Sequence, residues 1–134
     1  MKQLKELTIV TPNKPGKLAA VLAALAKAKL NIEALDSSSG YELNMVRLIT
    51  DNPAKTKSLL EKLGHNVAET GVLAVNIADK PGHLVKIARA LGKVGVNIDY
   101  MYATAPAAAP VATVIFHPSD IVKAERVLAD AELH

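Results

Sequence analysis

The sequence predicts an α+β fold made of two copies of one βαββαβ unit, and three observations carry that prediction. First, the chain repeats itself: Asn13-Lys-Pro-Gly-Lys-Leu returns as Asp79-Lys-Pro-Gly-His-Leu, and Asn31-Ile32 returns as Asn97-Ile98. The differences 79 − 13 and 97 − 31 both give 66. Lys14/Lys80, Pro15/Pro81, Gly16/Gly82, Leu18/Leu84, Leu25/Leu91, Asn31/Asn97 and Ile32/Ile98 are identical pairs at that spacing, as a duplicated module requires. Second, strand-like alternation precedes each Pro-Gly and helical periodicity follows it. Third, half of the residues are apolar and 22% are charged, the balance of a packed globular chain.

The elements follow in the same order in each half. Leu7, Ile9 and Thr11 alternate as a strand, and Leu73, Val75 and Ile77 repeat them. Pro15 and Pro81 suit the first turn of a helix, where a missing N–H costs nothing. Leu18, Val21, Leu22 and Leu25 then fall at helical spacing, as do Leu84, Ile87, Ala88 and Leu91. Asn31 to Asp36 and Asn97 to Thr104 predict second strands. Leu43 to Thr50 and Val111 to Phe116 predict third strands. Loops are expected at Asp36–Gly40 and in the Ala/Pro-rich stretch from Ala105 to Pro110. Pro53 opens a helix carrying Leu59, Leu60 and Leu63, ended by Gly64. Its counterpart starts near Pro118-Ser119-Asp120 and carries Val122, Val127 and Leu128. Val67 to Thr70 supply a fourth strand. The order β-α-β-β-α-β is ferredoxin-like, with two helices on one face of an antiparallel sheet.

The modules are expected at 1–70 and 71–134. A module of this size buries only ~60% of its unfolded surface, so the halves are expected to share a sheet or an interface. The second module is expected to lack its last strand, because the second-helix segments align at an offset of 68 and the fourth strand would start at His134. In a 4-1-3-2 sheet that leaves Val72 to Ile77 as a bare edge, a feature usually covered by another segment. The third strands are apolar on both faces: Val46 and Leu48 oppose Met45 and Ile49, while Ala112, Val114 and Phe116 oppose Val111 and Ile115. A wet face should be polar, so a homodimer or higher oligomer is expected.

Composition excludes several functions. There is no cysteine, hence no disulfide framework and no thiolate metal site, which fits a cytoplasmic protein. The start passes directly into a strand pattern without an apolar signal segment, and no run approaches a membrane span. The net charge is +3, with scattered lysines, one Phe, three Tyr and no Trp; nucleic-acid binding has few stacking platforms to use. His65, His83, His117 and His134 fall at no metal-ligand spacing. No cofactor, no metal and no catalytic constellation is expected, so the chain is read as not an enzyme.

The repeated loops are the candidate site. A Pro-Gly strand-to-helix turn leaves the first helical N–H groups unpaired and lets a ligand approach the backbone. Such a turn attracts a carboxylate, and the side-chain oxygens of Asn13, Asp79, Asn31 and Asn97 can accept from an ammonium group. Each residue also has a purely architectural role open to it: Asn13 and Asp79 as turn or capping residues, Asn31 and Asn97 as closers of the helix-to-strand turn. Tyr100 and Tyr102, on one strand face, suit interface packing.

With a strand, [N/D]-x-P-G-x-L, an amphipathic helix and N-I present in both halves, the chain resembles ACT domains, the small-molecule-sensing βαββαβ modules of amino-acid metabolism. The resemblance covers nearly the whole chain and implies a free-standing, non-catalytic tandem ACT protein that senses a free amino acid at the interface between modules. It implies ligand-binding positions at Thr11, Asn13, Pro15, Gly16, Lys17, Leu18, Asn31 and Ile32. In the second half they are Asp79, Pro81, Gly82, His83, Leu84, Asn97 and Ile98. Asn13 would pair with Asn97 and Asp79 with Asn31. Ile77 in place of Thr11, and Asp79 in place of Asn13, set the two sites apart; the site with Thr11, Asn13, Gly16 and Asn97 is expected to bind more tightly. The alternative is an assembly subunit without ligand that regulates a metabolic enzyme.

Overall fold

The computed structural model describes residues 1–104 and 111–130. The stretch from Ala105 to Pro110 and the expected position of a last strand at His134 lie outside the described residues. The order is β1 (Lys2–Pro12), α1 (Lys17–Lys27), β2 (Ile32–Gly40), β3 (Leu43–Thr50), α2 (Pro53–Lys62), β4 (Ala68–Ala78), α3 (His83–Lys93), β5 (Ile98–Thr104), β6 (Val111–Pro118) and α4 (Ile121–Asp130). This is an α+β chain with antiparallel strands and, among the described residues, four helices; the first half has the ferredoxin-like order β-α-β-β-α-β and the second repeats its first five elements from β4 to α4. The chain forms two compact units. The first is Lys5–Thr70; the second joins Met1–Leu4 to the residues from Gly71 onward.

In the first unit the strand order is β2-β3-β1, and the place of a fourth strand is taken by Ala68–Thr70, the opening residues of β4. Leu7 pairs with Leu48 and Ile9 with Val46, so apolar side chains from neighbouring strands meet on one face. Leu25 and Leu60 from the helices close over that face with Ile9, Val46 and Leu48, all at 1% exposure or less. The second unit repeats the arrangement as β4-β6-β5. Leu73 pairs with Phe116 and Val75 with Val114, under Ile87, Leu91, Ala124 and Leu128. Each helix buries one pair at i and i+4: Val21/Leu25, Thr56/Leu60, Ile87/Leu91 and Ala124/Leu128. That spacing places both residues on one helical face, one turn apart.

Three expectations change. The edge expected to be bare from Val72 is covered at its start, because the second unit joins Met1–Leu4 to Gly71 and the residues that follow it. Within the second unit the covering residues are Met1–Leu4. Gln3 comes close enough that a Cβ on Gly71 would meet its Nε2 at 3.2 Å. β1 begins at Lys2, well before the alternation from Leu7, and this early part lies beside β4 within the second unit, where an edge would otherwise be open. Likewise Ala68–Ala78 is one continuous strand rather than two short ones. The loop expected at Asp36–Gly40 is strand instead: Ser37, Ser38 and Ser39 pair with Val46, Met45 and Asn44. The connection shrinks to Tyr41 and Glu42, and Tyr41 takes φ 55 to make the turn.

The helix-free face differs between the units. In the first, Arg47 stands opposite Asp36, bonds it at 3.0 Å and lies 3.9 Å from the fully buried Glu6. Matching strand positions in the second unit carry Val72, Ile115 and Tyr102. Ile49 and Ile115, both on that face, are buried within the chain at 2% exposure, whereas Val10, Leu43, Met45 and Val111 remain exposed.

Candidate functional site

The four helices begin in two different ways. Asn52 accepts a hydrogen bond from the Lys55 amide and caps α2; Asp120 accepts from the Lys123 amide at the start of α4. These satisfy amides that a helix cannot pair internally. The helices after the Pro-Gly loops have no such cap. At α1 the N-cap is Gly16, with φ 85 and no side-chain bond; at α3 it is Gly82, with φ 90 and again none. A left-handed backbone there favours glycine, and nothing lies within 4 Å of the place where a Cβ would stand on either residue. The repeated motif therefore builds two helix N-termini without a side-chain cap, where the Lys17 amide donates to the Lys14 carbonyl at 3.3 Å and the His83 amide to the Lys80 carbonyl at 3.4 Å, and where the positive end of the helix dipole lies.

Asn13 does not cap α1. Its Nδ2 donates to the Tyr41 carbonyl at 2.9 Å, and its backbone N–H donates to the Glu42 carbonyl at 2.7 Å. Both bonds tie the loop to the β2–β3 turn and leave the side-chain oxygen of Asn13 as an acceptor. Pro15, Gly16 and Lys17 are exposed and Leu18 is half-buried. In the second unit Asp79, Pro81 and Gly82 are exposed, Leu84 is 47% exposed and His83 is half-buried. Asp79, Lys80 and Leu84 line a small cavity of about 170 Å³ with Ile77 and Ala112. Two buried polar atoms have no partner among the described residues, and both belong to the predicted set: Thr11 Oγ1 and His83 Nδ1.

Asn31 and Asn97 stand elsewhere in their units. Thr11 pairs with Asn44 near one end of β3, while Ile32 pairs with Thr50 at the other; six residues of strand separate them, roughly 20 Å. Asn31 and Ile32 are thus not brought to the Asn13 loop within the unit, and by the same topology Asn97 and Ile98 are apart from Asp79. Their main chains close a turn: the Asn31 amide donates to Asp51 Oδ1 at 3.0 Å and the Asp51 amide returns to the Asn31 carbonyl. Asn97 and Ser119 repeat this at 2.9 and 2.8 Å. The architectural role of these asparagines is therefore real, and it uses only their backbone.

The Asn97 side chain joins a cluster that sequence reasoning missed. Its Nδ2 donates to Asp99 Oδ1 at 2.8 Å, Asp99 Oδ2 meets His117 Nδ1 at 2.8 Å, and His117 stacks on Tyr100 with ring centroids 5.5 Å apart. The Asn97 bond, then the His117 bond, hold the Asp99 carboxyl below its ordinary value, because both stabilise the carboxylate. The alternation of Asp99 with Met101 was the available signal, but the irregular register between Ile98 and Tyr100 hid which residues face His117. Among the described residues no group of three His, Cys, Asp or Glu could hold a metal ion, and no helix is long and apolar enough to cross a membrane.

Fold and loops together define a paired βαββαβ module of the kind that presents helix N-termini without a side-chain cap. The chain belongs to the ACT domain pair family, whose model matches residues 2–134. It is similar to protein BT0572 from Bacteroides thetaiotaomicron, at 33% identity and a TM-score of 0.90, covering 96% of this chain and 88% of that one. It shares its fold with the regulatory subunit of aspartate kinase from Thermus thermophilus, solved ligand-free, at 16% identity and a TM-score of 0.70 over 96% of both chains. The corresponding subunit from Thermus flavus gives 19% identity and a TM-score of 0.66, covering 96% of this chain and 90% of that one. No protein of curated function matches the chain.

Proposed function

We propose that this ACT domain pair is a non-catalytic regulatory protein that binds a free amino acid through its Pro-Gly loops at an interface between ACT modules, with 1–70 and 71–134 as the modules. One observation carries the reading: the two helices that follow the repeated motif start on a left-handed glycine without a side-chain cap, while the other two carry Asn52 and Asp120 as caps. A carboxylate supplies an acceptor that no side chain provides at those two termini. An ammonium group needs oxygens, and Asn13 and Asn97 each commit their amide nitrogen internally while keeping an oxygen to accept. Since Asn13 and Asn31 stand at opposite ends of their unit, a ligand touching both kinds of asparagine needs two modules. That supports pairing Asn13 with Asn97 and Asp79 with Asn31, and it accords with a homodimer. The regulatory-subunit fold seen in the Thermus aspartate kinases supports a metabolic enzyme as the regulated partner.

A thermal-shift screen of the twenty amino acids tests the reading. A ligand bound only by the folded state raises Tm by mass action, so at least one amino acid raises it at millimolar concentration. If none does, the chain is an assembly subunit that has kept the fold without the ligand.

A further inference from the structure

We infer that a cavity in the first unit receives the side chain of the bound amino acid and selects a short, neutral one ending in a hydroxyl or carboxamide. The inference rests on the loop reading above and specifies its ligand. The cavity measures about 330 Å³, at the lower end of small-molecule pockets, and Pro12 and Lys17, which bracket the Asn13–Gly16 loop, belong to its lining. A ligand whose carboxylate sits at the α1 terminus therefore has this cavity beside it. Ala20, Val21, Ala24 and Leu63 make most of the wall apolar.

The polar requirement comes from Thr11, which also lines the cavity. It is 2% exposed, and its Oγ1 has no hydrogen-bond partner among the described residues. Buried hydroxyls in folded proteins are nearly always paired, and a ligand hydroxyl or amide at the end of a short side chain completes this one. Charge narrows the class further. Lys17 on the lining opposes a cationic side chain, and the apolar wall of Ala20, Val21, Ala24 and Leu63 makes a charged carboxylate costlier to desolvate than a neutral polar group. The offset of 66 puts Ile77, Lys86 and Ile87 where the first unit has Thr11, Ala20 and Val21. These longer or branched side chains, without a hydroxyl, remove both the room and the polar anchor. Selectivity thus resides at the first loop.

Calorimetry on the full chain decides the matter, using threonine and asparagine against their near-isosteric apolar counterparts, valine and leucine. In the native chain threonine or asparagine binds at least about tenfold more tightly than its counterpart, since a site built to bond a polar group rejects the analogue lacking it. Thr11→Val, close in shape to the original residue, abolishes that preference. Ala24→Leu, which fills the cavity, weakens binding of every amino acid, and a native-like circular dichroism spectrum with cooperative melting verifies folding of both variants. An unchanged preference in Thr11→Val, or native binding that favours a basic, acidic or purely aliphatic amino acid, overturns the inference and leaves the amino-acid reading intact. If no amino acid binds the native chain at all, both fall together.

Discussion

The side chain of Asn13 donates to the main-chain carbonyl of Tyr41 at 2.9 Å, which joins the loop before α1 to the turn between β2 and β3. The bond fixes which end of the amide faces the loop's open side. With the nitrogen committed, the oxygen is the atom available to a ligand's ammonium group. Asp79 occupies the same place in the second unit, where it carries a charge and offers no N–H.

This difference predicts unequal loops. Asn13→Ala loses an acceptor and a loop tether, whereas Asp79→Ala removes a negative charge that opposes a carboxylate at the α3 terminus. Titration calorimetry with the amino acid found by thermal shift should show Asn13→Ala weakening binding about tenfold or more, the scale of one charge-assisted hydrogen bond. Asp79→Ala should cost less. Equal losses, or a larger one for Asp79→Ala, would refute the asymmetry.

Arg47 lies 3.9 Å from the buried Glu6 and pairs with Asp36 in the first unit. Removing the guanidinium takes a charged partner from both, so Arg47→Leu should lower stability to urea by on the order of 3 kcal/mol. Asp36 is the better-solvated partner of the same guanidinium, and Asp36→Asn should cost under about 1 kcal/mol. The reverse order of the two effects would contradict this account of the triad.

Asp99 should titrate on the acid side of an ordinary aspartate. A carboxyl whose pKa is depressed by folding adds stability above its unfolded pKa and loses it as pH falls through the folded pKa. Carbon-detected NMR of the Asp99 carboxyl gives the midpoint. Because the Asn97 bond is the largest cause of the depression, Asn97→Ala should move the midpoint upward, and His117→Phe should do so as well. A midpoint indifferent to Asn97→Ala would mean that the 2.8 Å bond does not set it.

Self-association should use the helix-free face, where Val10, Leu43, Met45 and Val111 are exposed. Light scattering at high micromolar concentration should report at least a dimer, and Met45→Lys should shift the equilibrium toward monomer. A monomer at that concentration for the native chain would end this reading.

The sequence announced the repeat, the Pro-Gly turns and the buried helix faces, because each depends on residues close together in the chain. Leu25 and Leu91 are buried through helical periodicity that eleven residues display. What pairing over long distances decides was harder to read. Ser37 to Ser39 look like a loop by composition and become strand because Asn44 to Val46 stand opposite them. Lys2 to Leu4 gave no alternation, yet they belong to the second unit beside Gly71. The capping role open to Asn13 was equally plausible from spacing; only the position of the Tyr41 carbonyl, supplied by a strand turn 28 residues away, directs the side chain elsewhere.

The central claim is that the uncapped helix starts after the two Pro-Gly loops receive an amino acid's carboxylate. A nitrogen-15 amide NMR titration with the amino acid identified by thermal shift tests it most directly. The account predicts the largest saturable shifts at the amides of Gly16, Lys17 and Leu18, with a weaker set at Gly82, His83 and Leu84. Saturable shifts confined to other residues, with both loops unmoved, would contradict it.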